Sequence, residues 1–367
     1  MRIGSDLRLA LDARGLRHCV DGIGRFSLEV IGGLLRQRPG WQLQVIAPSE
    51  SAHHMAGLPV TAVPLETPRF RPGEGRKVGN LLKRFASEAY INLSMAGPTP
   101  DVPTFITVHD LMVLELPGYF GGGALRNLLA RAWFGLIIRR SASACSAIAV
   151  PSEFTAGRVE AVLGMGHKTF VVGEGQNLFA PGEANVDRRD DFLLYVGNAR
   201  AYKNLPRLLS AMEALEASGR RLPRVEMVVR KDRAYDQLIG RLRQSTIAEG
   251  ITVRSGVDEN DLRRLYMTCR AVLAPSVCEG FGLPALEGMA AGAPVLASQG
   301  TALEEVTGDA ALLVDPFSVE SIAEGMWRLV VDDMLVRSLS EAGVKRAKAF
   351  SWDTTAQKYA EKLEELL

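Results

Sequence analysis

The residues with the most chemical content lie in AVLAPSVCEGFGLPALEGMAAGAPVLAS, Ala271–Ser298, where Glu279 and Glu287 flank a Gly-Phe-Gly-Leu-Pro run. Ala271–Ala274 has the length and composition of a buried strand. Pro275 ends it, and a loop carrying Glu279, Gly280, Phe281 and Gly282 follows. A helix is expected from about Pro284, because proline suits a first helical position whose N–H has no intrahelical partner. Gly292 and Pro294 end that helix before a second strand. Glycines let backbone N–H groups approach a ligand closely. The helix N-terminus adds orphan donors and the positive end of a dipole, which together favour a phosphate. Carboxylates on the same loop accept hydrogen bonds from sugar hydroxyls. A glycosidase acid/base pair would need its carboxyl groups about 5–9.5 Å apart. Eight positions with one helical turn between them imply roughly 10 Å, which fits separate contacts along an extended ligand better than one shared bond.

Other chemically suggestive residues also sit at strand ends. Lys203 lies six residues after Gly197, in YVGNARAYKNL, just before a helix opening at Asn204–Leu205. Arg200 is the nearest other cation, and Arg230-Lys231 closes the strand Arg224–Val229. Asp21-Gly22-Ile23-Gly24-Arg25 follows the first strand and precedes a helix; a lone GxG is a weak motif. His109 ends another strand beside Asp110, and Asp12 ends the first, either lining a site or capping its turn.

Placing these residues requires strands that alternate with helices. Leu7–Leu11, Leu43–Ala47, Thr104–Val108 and Ala147–Val150 read as one series of strands. Phe192–Val196, Arg224–Val229, Ile251–Arg254, Ala271–Ala274 and Val295–Ala297 read as a second. Leu205–Ala217, Tyr235–Ala248 and Asn260–Thr268 have helical patterns between them. Such alternation predicts α/β architecture with two doubly wound parallel sheets. The Pro-, Gly- and charge-rich stretch Ala180–Asp191 reads as a linker. The domains are therefore expected at 1–180 and 190–350, with Ser351–Leu367 as a final amphipathic helix bearing Ala356, Tyr359, Leu363 and Leu366/Leu367 on one side.

At 367 residues the chain is long enough for two domains. A net charge of +1 argues against a dedicated nucleic-acid binder. The most apolar stretch, Leu125–Ala149, is interrupted by Arg126, Arg131, Arg139 and Arg140 and is not expected to span a membrane. Asp6, Arg8 and Asp12 break any signal-peptide core near the start. Cys19, Cys145, Cys269 and Cys278 have no metal-ligand spacing and read as reduced thiols of a cytoplasmic protein. Arg69–Phe85 holds six basic residues and one acidic residue. It reads either as a solvated face or as a contact for anionic lipid or a phosphorylated acceptor.

The run Glu279-Gly-Phe-Gly-Leu-Pro-Ala-Leu-Glu287 resembles the E-x7-E motif of family 4 retaining glycosyltransferases, which have the GT-B fold. The likeness extends along nearly the whole chain. Leu9–Val30, Thr107–Leu111, Val150–Thr155, Tyr195–Leu205 and Phe350–Ala356 follow the family's order. The resemblance implies two Rossmann-like domains facing a cleft, with the last helix packed back on the first domain. It implies that Glu279 contacts the donor sugar, Glu287 the nucleotide ribose, and Lys203 the diphosphate. Gly280, Phe281, Gly282 and Leu283 would lie against the sugar and phosphate. Gly22 and Gly24 would line the donor side, and His109 would face the donor sugar. Many members carry a second basic residue beside the lysine; here those positions are Asn198 and Tyr202, which leaves Arg200 as the substitute. Lys203, Glu279 and His109 are thus the expected catalytic residues.

The same resemblance implies transfer of a mannose- or rhamnose-like sugar, GDP-linked in the favoured reading, from a nucleoside diphosphate sugar. The acceptor would be a glycan or lipid-linked glycan in cell-surface polysaccharide synthesis. A cytoplasmic location is expected, with peripheral contact to the inner membrane face through Arg69–Phe85. No cofactor or metal is expected, since the chain has no D-x-D segment and cations with a helix dipole can hold the leaving diphosphate. A UDP-sugar donor, a nucleotide-sugar epimerase of the same fold and a non-catalytic nucleotide-sugar-binding protein are the competing readings.

Overall fold

The computed structural model describes residues 7–16, 22–67, 69–71, 73–121, 123–180, 182–184, 186 and 190–367. Asp21, Cys19 and parts of the Ala180–Asp191 stretch lie outside the described residues. The chain forms two compact units, Met1–Gly175 with Ser351–Leu367, and Gln176–Phe350.

In the first unit the elements run β1 (Arg8–Asp12), α1 (Gly22–Gln37), β2 (Gln42–Ala47), β3 (Thr61–Pro64), α2 (Glu74–Phe85), β4 (Ala89–Asn92) and β5 (Thr104–Thr107). They continue through α3 (Met112–Glu115), α4 (Ala124–Ala144), β6 (Ala147–Val150), α5 (Glu153–Leu163) and β7 (Thr169–Val171). The strands form one parallel sheet in the order β3-β2-β1-β4-β5-β6-β7. Leu9 pairs with Leu43 on one side and with Ala89 on the other, so β1 is the strand on which the winding reverses. The inner strands are buried on both faces, as a helix-covered parallel sheet requires. Leu9, Leu11, Ile91, Ile106 and Ile148 are each at most 1% exposed.

In the second unit the order of elements is β8 (Phe192–Gly197), α6 (Leu205–Ala217), β9 (Arg224–Val229), α7 (Arg233–Leu242), β10 (Ile251–Arg254), α8 (Glu259–Thr268) and β11 (Ala271–Ala274). Then come α9 (Leu283–Ala290), β12 (Val295–Ser298), α10 (Ala302–Thr307), β13 (Leu312–Val314), α11 (Val319–Val331) and α12 (Asp333–Ala347). The last helix, α13 (Trp352–Leu366), belongs to the first unit. The second sheet is also parallel, ordered β10-β9-β8-β11-β12-β13. Short polar residues cap most of its helices. Asp232, Asp258, Thr301 and Ser318 each accept a backbone N–H of the first turn.

Two expected helices end differently in the structure. The pattern Tyr235–Ala248 predicts one helix, yet α7 stops at Leu242 and a separate short turn covers Thr246–Gly250. The Ser245 hydroxyl donates to Glu213 at 2.5 Å and the Thr246 hydroxyl to Glu216 at 2.7 Å. These side-chain bonds tie the segment after α7 to α6. In α13, Ala356, Tyr359 and Leu363 are fully buried, but Leu366 and Leu367 are 38% and 47% exposed. The buried face of the helix ends at Leu363, so the apolar periodicity outlasts the packing.

A charged network closes the C-terminal end of β1. Arg14 donates to Asp12 and Glu74, with nitrogen–oxygen distances of 2.5 and 2.7 Å, and the Tyr90 hydroxyl donates to Asp12 at 2.5 Å. Asp12 is 1% exposed, so its carboxylate serves this network. Burial pushes the Asp12 carboxyl up, but the adjoining Arg14 guanidinium outweighs it and holds the group below the usual carboxylate range. A lowered folded-state pKa stabilises the protein above the unfolded value, about 3.9, and that contribution disappears as pH falls through the folded value. Acid unfolding of the first unit should therefore steepen below pH 4. Asp12→Asn should flatten that dependence while lowering stability at neutral pH. An unchanged acid profile, followed by tryptophan fluorescence, would count against this account.

Candidate functional site

In a doubly wound sheet, ligand crevices form beyond the carboxyl ends of the strands at which the strand order reverses. In the second unit those strands are β8 and β11, neighbours in the sheet that pair through Leu193–Ala271 and Leu194–Val272. The loops leaving them are Asn198–Asn204 and Pro275–Gly282. The sheet thus brings together Lys203 and Glu279, which are 76 positions apart in the chain. Lys203 Nζ donates to Glu279 Oε1 at 2.6 Å, and each side chain is 11% exposed.

Backbone and side-chain bonds fix both loops. The Tyr195 hydroxyl, at the end of a fully buried ring, donates to the Asn198 carbonyl at 2.6 Å. The Asn198 amide donates to the Tyr202 hydroxyl at 2.8 Å, and Asn198 Oδ1 accepts the Arg200 N–H at 3.0 Å. Asn204, with φ 62°, turns the chain into α6. Its amide donates to the carbonyls of Pro275 and Pro316 at 2.9 and 2.7 Å. The Val277 N–H donates to the Tyr202 carbonyl at 2.8 Å, which ties the second loop to the first. Burial and the Glu279 carboxylate raise the Tyr195 phenol well above its ordinary pKa, so it remains a donor. A lysine this enclosed is stable because a carboxylate faces it.

The second loop turns into α9 at Gly282, whose φ of 110° suits glycine alone. A Cβ there would also come within 2.3 Å of Leu303 Cδ2. Pro284 lies in the first turn of α9. Glu287 is 4% exposed and accepts the Tyr266 hydroxyl of α8 at 2.8 Å. Phe281 is buried edge-to-face against Phe350, with ring centroids 5.6 Å apart. Gly288 lets α9 lie close on β11, since a Cβ would meet Val272 Cγ2 at 2.9 Å. Gly280 is buried and Leu283 half-buried.

The structure places Lys203, Glu279 to Leu283 and Glu287 on one edge of the second sheet. Arg200 is on the same loop as Lys203 but is exposed. Arg230 and Lys231 follow β9, and the Arg230 N–H donates to the Gly197 carbonyl at 3.1 Å. Sequence reasoning missed Tyr195, Asn204 and Tyr266. Only the Asn-Leu-Pro start of α6 carried a local signal, because asparagine tolerates a left-handed turn.

In the first unit, His109 follows β5 and is 8% exposed. Its Nε2 lies 3.2 Å from the Leu93 carbonyl, and its Nδ1 lies 3.8 Å from Glu174 Oε1. Phe26 of α1 meets the imidazole edge-to-face at 4.7 Å. Asp110 accepts the Met112 N–H at 2.9 Å, just ahead of α3. Gly22 opens α1 on the surface, and Gly24 is buried in its first turn. A Cβ at Gly22 would meet no described atom within 4 Å, so packing among the described residues does not require glycine there.

Among the described residues, no group of three or more His, Cys, Asp or Glu side chains is placed to hold a metal ion. Cys145 and Cys269 are buried and unbridged, and Cys278 is half-buried. Among the described residues, no helix is long and apolar enough to cross a membrane.

Comparison with known proteins bears on both units. O-antigen chain mannosyltransferase B of Escherichia coli is 36% identical over 164 residues, covering 44% of this chain and 42% of the relative. The MMP alpha-(1->4)-mannosyltransferase of Mycolicibacterium hassiacum is 29% identical over 243 residues, covering 63% and 57%. The matched segments thus span less than two thirds of either relative. The solved sucrose-phosphate synthase of Thermosynechococcus elongatus aligns with a TM-score of 0.78 at 19% identity, over 98% of this chain and 99% of that one. This likeness shows the fold, two parallel sheets of seven and six strands as in GT-B glycosyltransferase structures. Residues 179–346 match the family described as Glycosyl transferases group 1. The second unit therefore carries a segment matching that glycosyltransferase family, within a chain that has the GT-B fold.

Proposed function

We propose that the protein is a retaining glycosyltransferase. It would move a mannose- or rhamnose-like sugar from a nucleoside diphosphate sugar to a glycan or lipid-linked glycan in cell-surface polysaccharide synthesis. The observation that carries this reading is the enclosed Lys203–Glu279 pair beyond β8 and β11. A cation and a carboxylate fixed side by side match a donor that presents a diphosphate next to sugar hydroxyls. In this reading Lys203, with Arg200 beside it on the loop, holds the leaving diphosphate. The α9 N-terminus adds its dipole and the backbone of Gly280 to Leu283. Glu279 accepts from the sugar, and Glu287, oriented by Tyr266, accepts from the ribose. Gly22, Gly24 and His109 are assigned to the donor on the first unit. The transition state is oxocarbenium-like, and preorganised charge at the leaving group lowers its energy without a metal. The mannosyltransferase names of the two relatives favour a mannose-type donor.

The test is thermal unfolding in metal-free buffer with GDP, UDP, ADP and dTDP, then with the matching sugars. A ligand at 100 times its Kd should add about 2.7 kcal/mol of stability. The expected outcome is a clear shift with GDP and GDP-mannose, and an anomeric configuration retained in the product by NMR. A shift with UDP alone would move the donor to glucose-like sugars. No shift with any nucleotide, or a strict manganese requirement, would overturn the assignment.

A further inference from the structure

We infer that the outer face of α4 is a docking surface for an anionic lipid bilayer. Leu125, Leu128, Leu129, Trp133 and Leu136 are 69%, 64%, 63%, 46% and 69% exposed. Their spacing puts them on one stripe of the helix, about 17 Å long at 1.5 Å per residue. The opposite face, with Ile138 and Ala142, is already buried in the first unit's core. The stripe is thus an additional apolar surface, and contiguous exposed patches of this kind mark interaction sites.

Charge selects the occupant. α4 has four arginines and no acidic residue along its 21 residues. Arg126 flanks the stripe, and Arg139 and Arg140 continue it at its C-terminal end, all three exposed. Alongside α4 lies a groove of about 620 Å³ lined by Phe70, Arg71, Pro98, Trp133 and Arg140, with Glu74 also in its lining. The neighbouring α2 presents Arg76, Lys77, Lys83 and Arg84 to solvent. Within the basic Arg69–Phe85 segment, two charges turn inward instead. Arg69 donates to Ser94 and Ala96, and Glu74, the segment's one acid, pairs with Arg14. Among the described residues, every charge that the segment leaves exposed is cationic.

A second copy of the same face would set cation against cation, so self-association through the stripe is opposed. An aliphatic stripe with a tryptophan, bordered by arginines, instead has the composition of a helix lying in a bilayer interface. Its apolar side enters the acyl boundary while long basic side chains reach the headgroups. Each cation near an anionic leaflet strengthens the contact, and salt weakens it. This surface stands independently of the donor assignment, since none of its residues belongs to the Lys203–Glu279 site.

The experiment is co-sedimentation of the full chain with vesicles of phosphatidylcholine alone and of phosphatidylcholine with phosphatidylglycerol. The expected result is binding to the phosphatidylglycerol vesicles that falls as salt rises, with a blue shift in tryptophan emission that Trp133→Phe removes. Leu128→Glu with Leu129→Glu and Leu136→Glu should weaken binding about tenfold or more. Arg139→Glu with Arg140→Glu should do the same through charge. All five positions are exposed, and an unchanged thermal midpoint will show that the variants are folded. The inference is overturned by wild-type protein that stays in the supernatant, or by variants that bind as the parent does. Equal binding to both vesicle types, or a lipid-free dimer that the leucine variants dissolve, would also overturn it.

Discussion

Lys203→Ala should lower kcat at least 100-fold while the protein stays folded. Removing one preorganised donor from a developing anion commonly costs on the order of 3 kcal/mol of transition-state stabilisation, and each 1.36 kcal/mol is about tenfold in rate. The position strengthens the expectation. Lys203 is held by a turn that bonds to both strand-end loops, so the ammonium needs little reorganisation when charge develops. A purely structural ion pair would behave differently. The variant would leave Glu279 without its partner and lower the thermal midpoint, but its folded fraction would keep its rate. Measuring kcat and thermal midpoint on the same preparation separates these cases. A fully active Lys203→Ala would withdraw the diphosphate from this loop. Glu279→Gln serves as the companion variant, because it keeps the shape of the side chain and removes the charge facing Lys203.

Removing Ser351–Leu367 should unfold the first unit and spare nucleotide binding by the second. α13 packs against α1 at near-minimal separation, since a Cβ on Gly33 would come within 2.4 Å of Ala356 Cβ. Gly175 allows equally close approach to the Trp352 backbone nitrogen, at 2.3 Å from an added Cβ. Trp352 and Tyr359 meet Phe26 at 5.9 and 6.3 Å, and the Tyr359 hydroxyl bonds Thr107 at 2.6 Å. Burying a large apolar side chain contributes about 1.5–3 kcal/mol. Trp352, Tyr359 and Leu363 together therefore approach the whole stability of a domain, about 5–15 kcal/mol. The exposed ion pairs Arg36–Asp353 and Arg38–Glu364 add little by comparison. Hydrogen exchange should show β1 and α1 losing protection in the truncated chain. Protection within about 1 kcal/mol of the full chain would show that α13 is dispensable to the first unit.

Much of this architecture is written in local pattern. AVLA, FLLYVG and VLAS are continuous apolar runs because strands covered on both faces have no polar side to display. The Glu279–Glu287 segment is legible for a related reason. Its strand, glycine turn, proline and helix follow one another without a gap, so spacing alone orders the backbone there. Four strands escaped the same reading: β3, β4, β7 and β13. Pairing with neighbours, rather than a local pattern, makes them strands.

What the sequence determined by itself, then, is the class of fold, the order of most elements and the loops that bear charge at strand ends. Tertiary structure decided which of those loops meet. Nothing near Lys203 names Glu279, nor does anything near Glu287 name Tyr266; the strand order β8-β11 and the packing of α8 on α9 join them. Asp12, Arg14, Glu74 and Tyr90 form one network only because β1, α2 and β4 converge. The sequence shows α4 apolar on both sides, and only packing reveals which side is covered. Hydrophobic periodicity records how each segment can fold by itself. Long-range proximity depends on where every other segment has gone, and no local pattern encodes it.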